Sequence, residues 1–334
     1  MRRPLALLAA VIALMAAPAR AGEPYDLDLT RLGPPGENVW LAQQGCLTAA
    51  GSTCTPLQQA DAQAMASDAR VRFARLTTDL ALAFTSSLLQ PASTTGHSGF
   101  NFDLEASYTQ VHHEVLGGET ATFGPPTYGG VDYWPTHTQK PTGLLMPSLH
   151  MRKSLPFSFE VGGRVTYMSQ SSYFAAQLEG KWALLEGYAV WPEVALRAAY
   201  TKVLGVRDLE LGVTEFDVMT SKRFGLNAVT SVTPYLALRL ARLSASTPVL
   251  NFRPDMPPAS QADLANNSAA FPDVKSSLYR TTLGARLTAG AVSLGLEATY
   301  YGGGTKGSGS AGADYPKYAT PSSLAGAFKF GFEF

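Results

Sequence analysis

Cysteine, charge and long apolar runs are all scarce in this chain, and each scarcity removes a class of protein. Only Cys46 and Cys54 occur in 334 residues, with seven residues between them, a spacing that does not support a CxxC redox centre. Charged residues make up 16% of the chain, 26 basic and 26 acidic, and no basic stripe of the kind nucleic acid requires is present. Histidine is down to five. His112 and His113 are adjacent, so on a strand they point to opposite faces, and with His137 in the following loop they make a poor metal site. Past the first twenty residues no run approaches the ~18 consecutive apolar residues of a transmembrane helix. If the chain crosses a membrane, it crosses with strands.

The one apolar run has another reading. Arg2 and Arg3 precede Leu5 to Ala17, and Ala19-Arg20-Ala21 follows as a small-x-small cleavage site, which predicts a signal peptide over 1–21. Removing Arg2, Arg3 and Arg20 from the 26 basic residues leaves 23 against 26 acidic ones, a formal charge of about −3. An exported chain meets an oxidising compartment, so Cys46 and Cys54 are expected to form a disulfide. Thr55-Pro56-Leu57-Gln58 carries the signature of a helix start, with Thr55 as N-cap and Gln58 closing a capping box, and a short helix to about Arg70 is expected.

What the chain has in abundance is alternation. Phe100, Phe102, Leu104, Ala106 and Tyr108 alternate with polar residues, as do Phe157, Phe159, Val161, Val165 and Tyr167. Further strands are predicted near 142–153, 173–184, 188–202, 208–219, 228–243, 276–289, 291–301 and 323–334, each close to the 9–11 residues that cross a bilayer at barrel tilt. The last reads LAGAFKFGFEF, with Leu324, Phe328, Phe330, Phe332 and Phe334 on one face and Lys329 and Glu333 on the other.

Leader, alternating strands and a terminal Phe together resemble a Gram-negative outer-membrane β-barrel. The resemblance is to the class and not to a specific family. It implies an all-β, antiparallel up-and-down transmembrane barrel over 99–334, and Phe330, Phe332 and Phe334 as an assembly signal. Ten strands place the three longest connections, 114–141, 244–275 and 302–322, on one side and the shortest turns on the other, as such barrels do. Leu76, Thr78, Leu80, Leu82 and Phe84 also alternate, so this stretch is a helix continuation, a luminal plug or a sign of twelve strands. Residues 22–98 are expected to form a periplasmic or plug-like segment, with the N-terminus periplasmic and the barrel in the cell outer membrane.

Charges on the lipid side would cost ~2–4 kcal/mol each near the midplane, so the charged face must be the lumen. It collects Asp103, Glu105, Arg152, Glu160, Arg164, Glu179, Lys181, Glu193, Arg197, Arg239, Arg280, Arg286, Glu297, Lys329 and Glu333, a nearly balanced set expected to form a ladder. Ser148 and His150, two apart on one face, are similar to the Ser and His of barrel hydrolases that act on lipids. Side chains so spaced lie roughly 7 Å apart, beyond hydrogen-bond reach, and luminal packing explains them without chemistry. Asp103 and Glu105 resemble the acids of omptin-type proteases but lie mid-strand among arginines. The glycine-rich GGGTKGSGSAG over 302–312 has no strand–turn–helix context and reads as a loop. The expected function is a narrow channel or transporter for a small solute. The alternatives are a structural or adhesive barrel presenting its long loops, and last a membrane-embedded hydrolase. Expected partners are outer-membrane lipid and lipopolysaccharide, the barrel-assembly machinery and the solute itself; neither cofactor nor metal nor nucleic acid is expected.

Overall fold

Ten alternating segments become ten long strands: β1 Phe100–Gln110, β2 Gly143–Leu155, β3 Phe159–Tyr167, β4 Phe174–Leu185, β5 Glu193–Leu204, β6 Glu210–Ser221, β7 Thr230–Ser246, β8 Val274–Ala289, β9 Val292–Tyr301 and β10 Ser323–Glu333. The computed structural model describes residues 23–48, 50–111, 134–136, 141–188, 190–253, 261–306 and 318–334. His112, His113, His137 and the loop glycines beyond Lys306 fall outside them. Each strand pairs antiparallel with its neighbours in sequence. β10 returns to β1 in the register Ala325↔Thr109 to Glu333↔Asn101, which closes the sheet and leaves it no free edge.

Several predicted boundaries move. Phe157 and Ser158, expected in a strand, lie in the turn before Phe159 with φ of +64° and +59°. The strand expected from 188 starts only at Glu193, because Trp191 and Pro192 lie in the turn and proline has no ladder N–H. The turn expected at 222–225 runs to 229, where the Asn227 side chain accepts hydrogen bonds from the N–H groups of Val229 and Thr230 at 3.0 and 2.7 Å and so sets the reversal.

The larger correction concerns the N-terminal segment. Its helices are α1 Glu37–Gln43 and α2 Pro56–Phe84, with α3 Gln261–Asn267 lying in the β7–β8 connection. α2 has the predicted start, since Thr55 and Gln58 exchange both capping-box bonds, but it runs 29 residues and does not stop near Arg70. Its first turns present Ala62 and Ala66 to Trp40, Leu41 and Cys46, where the Cys46–Cys54 disulfide ties the loop before the helix. From Phe73 to Ser93 every residue is buried. The alternation at Leu76–Phe84 is therefore the inner half of a helix apolar on several sides, which supports either period equally. It packs against the apolar inner residues of the upper wall, Leu144, Met146, Val203, Leu211, Val213, Leu243 and Leu278 among them. Phe73 also stacks on Phe271 of the β7–β8 connection, centroids 4.5 Å apart.

The segment enters at the end that carries the long connections. Tyr25 N–H donates to Gln170 O at 3.0 Å, Ser172 N–H to the Asp26 carboxylate at 2.8 Å, and Arg31 to Thr136 O at 2.5 Å, all in connections at that end. Thr94 and Thr95 emerge at the short-turn end, bonded to Glu186 and Ser154, and the chain turns into β1 where Phe100 N–H meets Phe334 O at 2.9 Å. Residues 73–93, buried throughout, form an inner segment, called the plug below, and the residues before it contact the connections at the opposite mouth.

Candidate functional site

The inner wall carries a ring of charges whose partners are set by register. Glu160↔Lys181, Lys181↔Arg197, Arg197↔Asp217, Asp217↔Arg239 and Arg239↔Arg280 are successive cross-strand neighbours around the barrel. Arg152 bridges Asp103 at 2.8 Å and Glu160 at 3.2 Å; Lys181 meets Glu160 at 3.0 Å; Arg197 joins Glu179 at 2.6 Å to Asp217. Arg239 and Arg280 stand side by side because both reach Glu215, at 2.8 and 2.5 Å. Four inward glycines make room for this layer. Gly162, Gly284, Gly295 and Gly331 lie directly across from Arg152, Tyr235, Lys329 and Asp103, and a Cβ on any of them would come within 1.8–2.8 Å of the facing side chain.

The plug is held by this ring chiefly through its main chain. Below Phe84 it has no regular secondary structure, so its amides and carbonyls need partners from the wall. Arg239 donates to Thr85 O and Ser86 O at 2.9 and 3.0 Å, and Arg280 to Thr85 O at 2.6 Å, placing two guanidinium groups at the negative end of α2. Arg164 donates to Ser87 O at 2.7 Å and Leu88 O at 3.2 Å. The two oxygens of Glu297 accept from Leu88 N–H at 2.8 Å and Leu89 N–H at 2.6 Å, and one also takes the Tyr235 hydroxyl at 2.7 Å. Leu89 sits at φ +53°, which turns the two successive N–H groups toward one anion. Gln90 adds side-chain bonds to Glu179, Arg152 and Lys181, and Lys181 reaches Ser93 O at 3.0 Å.

The outside is the inverse. Leu104, Leu178, Val218, Leu238, Tyr279, Leu283, Leu296 and Phe328 are exposed, while ring carboxylates and guanidinium groups are buried. A closed sheet with apolar side chains outside and charges inside cannot be solvated by water on its outer face. The fold is that of an outer-membrane β-barrel. No protein-family model matches the chain, and no curated protein matches it either. Among solved structures it is similar to the N-terminal β-barrel domain of Pseudomonas aeruginosa OprF, with 9% identity, a TM-score of 0.29, and 72% of this chain and 99% of that one covered. It is similar also to Ail, the attachment invasion locus protein of Yersinia pestis, with 9% identity, a TM-score of 0.24, and 72% and 100% covered. A double mutant of the Serratia marcescens hemophore receptor HasR, in complex with its hemophore HasA and heme, gives 12% identity, a TM-score of 0.23, and 72% and 42% covered.

Of the fifteen charged residues expected in the lumen, thirteen are buried, and Glu193 and Glu333, at the short-turn end, are half-buried. Ser148 and His150 do not meet. Both turn to Glu105, Ser148 Oγ at 3.3 Å and His150 Nδ1 at 2.9 Å, and His150 Nε2 reaches Glu179 at 3.0 Å, so the histidine is a bridge between two carboxylates. Asp103, Glu105 and His150 have ligand atoms within 4.8 Å of one another, as a metal site would. Their carboxylates already carry Arg152, Lys329 and Arg164, at 2.8, 3.2 and 3.0 Å, which supply the positive charge an ion would bring.

Sequence reading missed Glu215 and Asp217, the acids around which Arg197, Arg239 and Arg280 gather. The inner face of β6 begins with Leu211 and Val213 and its outer face contains Phe216 and Val218, so hydropathy gives the strand no clear phase. The available signal was the alternation of Glu215 and Asp217 with Phe216 and Val218 over the second half of the strand. Outside the barrel wall, burial pushes the Tyr318 phenol at the long-connection end up to about 12.

Proposed function

We propose that this chain is an outer-membrane barrel shut by its own N-terminal segment, and that it acts at the cell surface by presenting the cap of residues 23–55 and the long connections. The observation that carries this reading is the plug. Residues 85–95 cross the lumen and occupy the charged side chains a hydrophilic solute would need. Because short turns face the periplasm in such barrels, the cap lies on the outer side, in place of the periplasmic N-terminus expected from sequence. The apolar outer face takes outer-membrane lipid and lipopolysaccharide, and Phe330, Phe332 and Phe334 address the chain to the assembly machinery. No reaction is assigned to Ser148 and His150.

A second reading, a gated channel for a small solute, is favoured by one feature: below α2 the plug has no hydrogen-bond ladder of its own, so a movement would exchange bonds to the wall and not unfold a helix. Conductance decides between them. The purified full-length protein in a planar bilayer is expected to show no steady current, and an epitope placed directly before Glu23 is expected to bind antibody on intact cells. Spontaneous openings of the wild-type protein, or an epitope reached only after outer-membrane permeabilisation, would overturn the presenting role.

A further inference from the structure

A cavity of about 510 Å³ opens at the short-turn end, beneath the place where the plug leaves the lumen. It is bounded by the last lumen charges at that end, Glu193, Arg286 and Glu333, away from those that hold the plug, and falls within the size range of small-ligand sites. Its walls are largely polar, and Arg286, Arg223 and Glu193 are each oriented by a hydrogen bond. Arg286 is only 6% exposed; it donates to Glu333 Oε1 at 3.1 Å, and its Nε has no partner among the described residues. Arg223 is oriented by one bond, Nε to Ser231 Oγ at 3.1 Å. Glu193 commits one oxygen to Ser221 Oγ at 2.6 Å, and Glu333 commits one to Arg286. That leaves each carboxylate a second oxygen for a ligand. Trp191, 67% exposed, also lines the cavity, and its turn is held by Lys222, which donates to Trp191 O at 3.1 Å.

These groups select a ligand chemistry. An anion drawn to Lys222, Arg223 and Arg286 would also face Glu186, Glu193 and Glu333, and a cation drawn to the three carboxylates would face the three basic groups. A neutral molecule bearing adjacent hydroxyls satisfies both sets, donating to carboxylate oxygens and accepting from the guanidinium forks. An indole face supplies the flat apolar platform on which a sugar ring lays its C–H surface. We propose that this vestibule binds a neutral saccharide.

The test uses the full-length protein in a zwitterionic detergent without a sugar headgroup, titrated separately with chitotriose, maltotriose and inorganic phosphate, and read by tryptophan fluorescence and calorimetry. At least one trisaccharide is expected to give a saturable signal, and phosphate none. Trp191→Leu and Glu193→Gln are each expected to weaken the sugar by about tenfold or more, with the heat-dependent gel mobility of the folded barrel unchanged. The proposal is overturned if neither trisaccharide saturates, if phosphate binds as tightly as sugar, or if both variants bind sugar like the wild type. The wild-type isotherm decides by itself, so a variant that failed to fold would not rescue a protein that binds no sugar.

Discussion

At the scale of single residues, the lumen depends on glycines as much as on charges. Asp103 carries both Arg152 and Lys329, and it can lie flat against the wall only because Gly331 across the strand has no side chain; a Cβ there would stand 1.8 Å from Asp103 Oδ1. Gly331→Ala is therefore expected to push the carboxylate off its partners. Breaking a buried ion pair from one side costs about 3–5 kcal/mol, so the temperature at which the folded gel band converts should fall clearly. Gly326→Ala, with nothing within 4 Å of the added carbon, is the matched control and should leave that temperature in place. Glu297 makes a second prediction. With Gln at this position, one of the two oxygens that receive Leu88 and Leu89 N–H becomes an amide donor facing a donor. Hydrogen exchange at those two amides should accelerate while the amides of β9 stay protected; unchanged exchange at Leu88 and Leu89 would remove Glu297 as the plug's latch.

At the scale of elements, α2 and the chain below it behave as two parts. The helix is held by apolar packing against the upper wall, and the irregular part by charge-assisted bonds to its own carbonyls and amides. The buried half of this helix is not apolar throughout: it includes Thr77 and Thr78, whose hydroxyls bond back to Ala74 O at 3.0 and 2.8 Å and so satisfy their donors within the helix. The junction offers a lock. Ser86 Oγ lies 2.8 Å from Ser107 Oγ on β1, so cysteines at both positions are expected to form a disulfide on oxidation. If the plug moves to open a channel, the oxidised double variant should lose whatever current the reduced one shows. If the barrel is permanently shut, both forms should be equally silent.

At the scale of the whole molecule, the barrel wall was readable and the path of residues 56–98 was not. Alternation is a local property: each strand reports its own inward and outward faces, so Asp103, Arg152, Lys181 and Lys329 could be placed in the lumen without knowing their neighbours. Where both faces of a strand contain apolar residues, as in β6, the local signal loses its phase, and Glu215 and Asp217 disappear with it. The plug is harder still. A segment enclosed on every side need not show a two-residue or a 3.6-residue period, which is why Leu76 to Phe84 fitted a strand as well as a helix.

Sequence by itself determined the alternating strands, the side on which charge collects and the cap that starts α2, because each of these follows from spacing along a few turns or one strand; that the strands number ten and not twelve, and that β10 closes on β1, was decided by the tertiary structure. Tertiary structure alone decided that α2 continues into the lumen, that the N-terminal residues lie at the long-connection mouth, and that His150 bridges two carboxylates. The physical reason is distance along the chain. Leu88 finds Glu297 across 209 residues and Ser86 O finds Arg239 across 153, and no local pattern encodes a hydrogen bond between a plug's main chain and a wall that closes only when β10 meets β1.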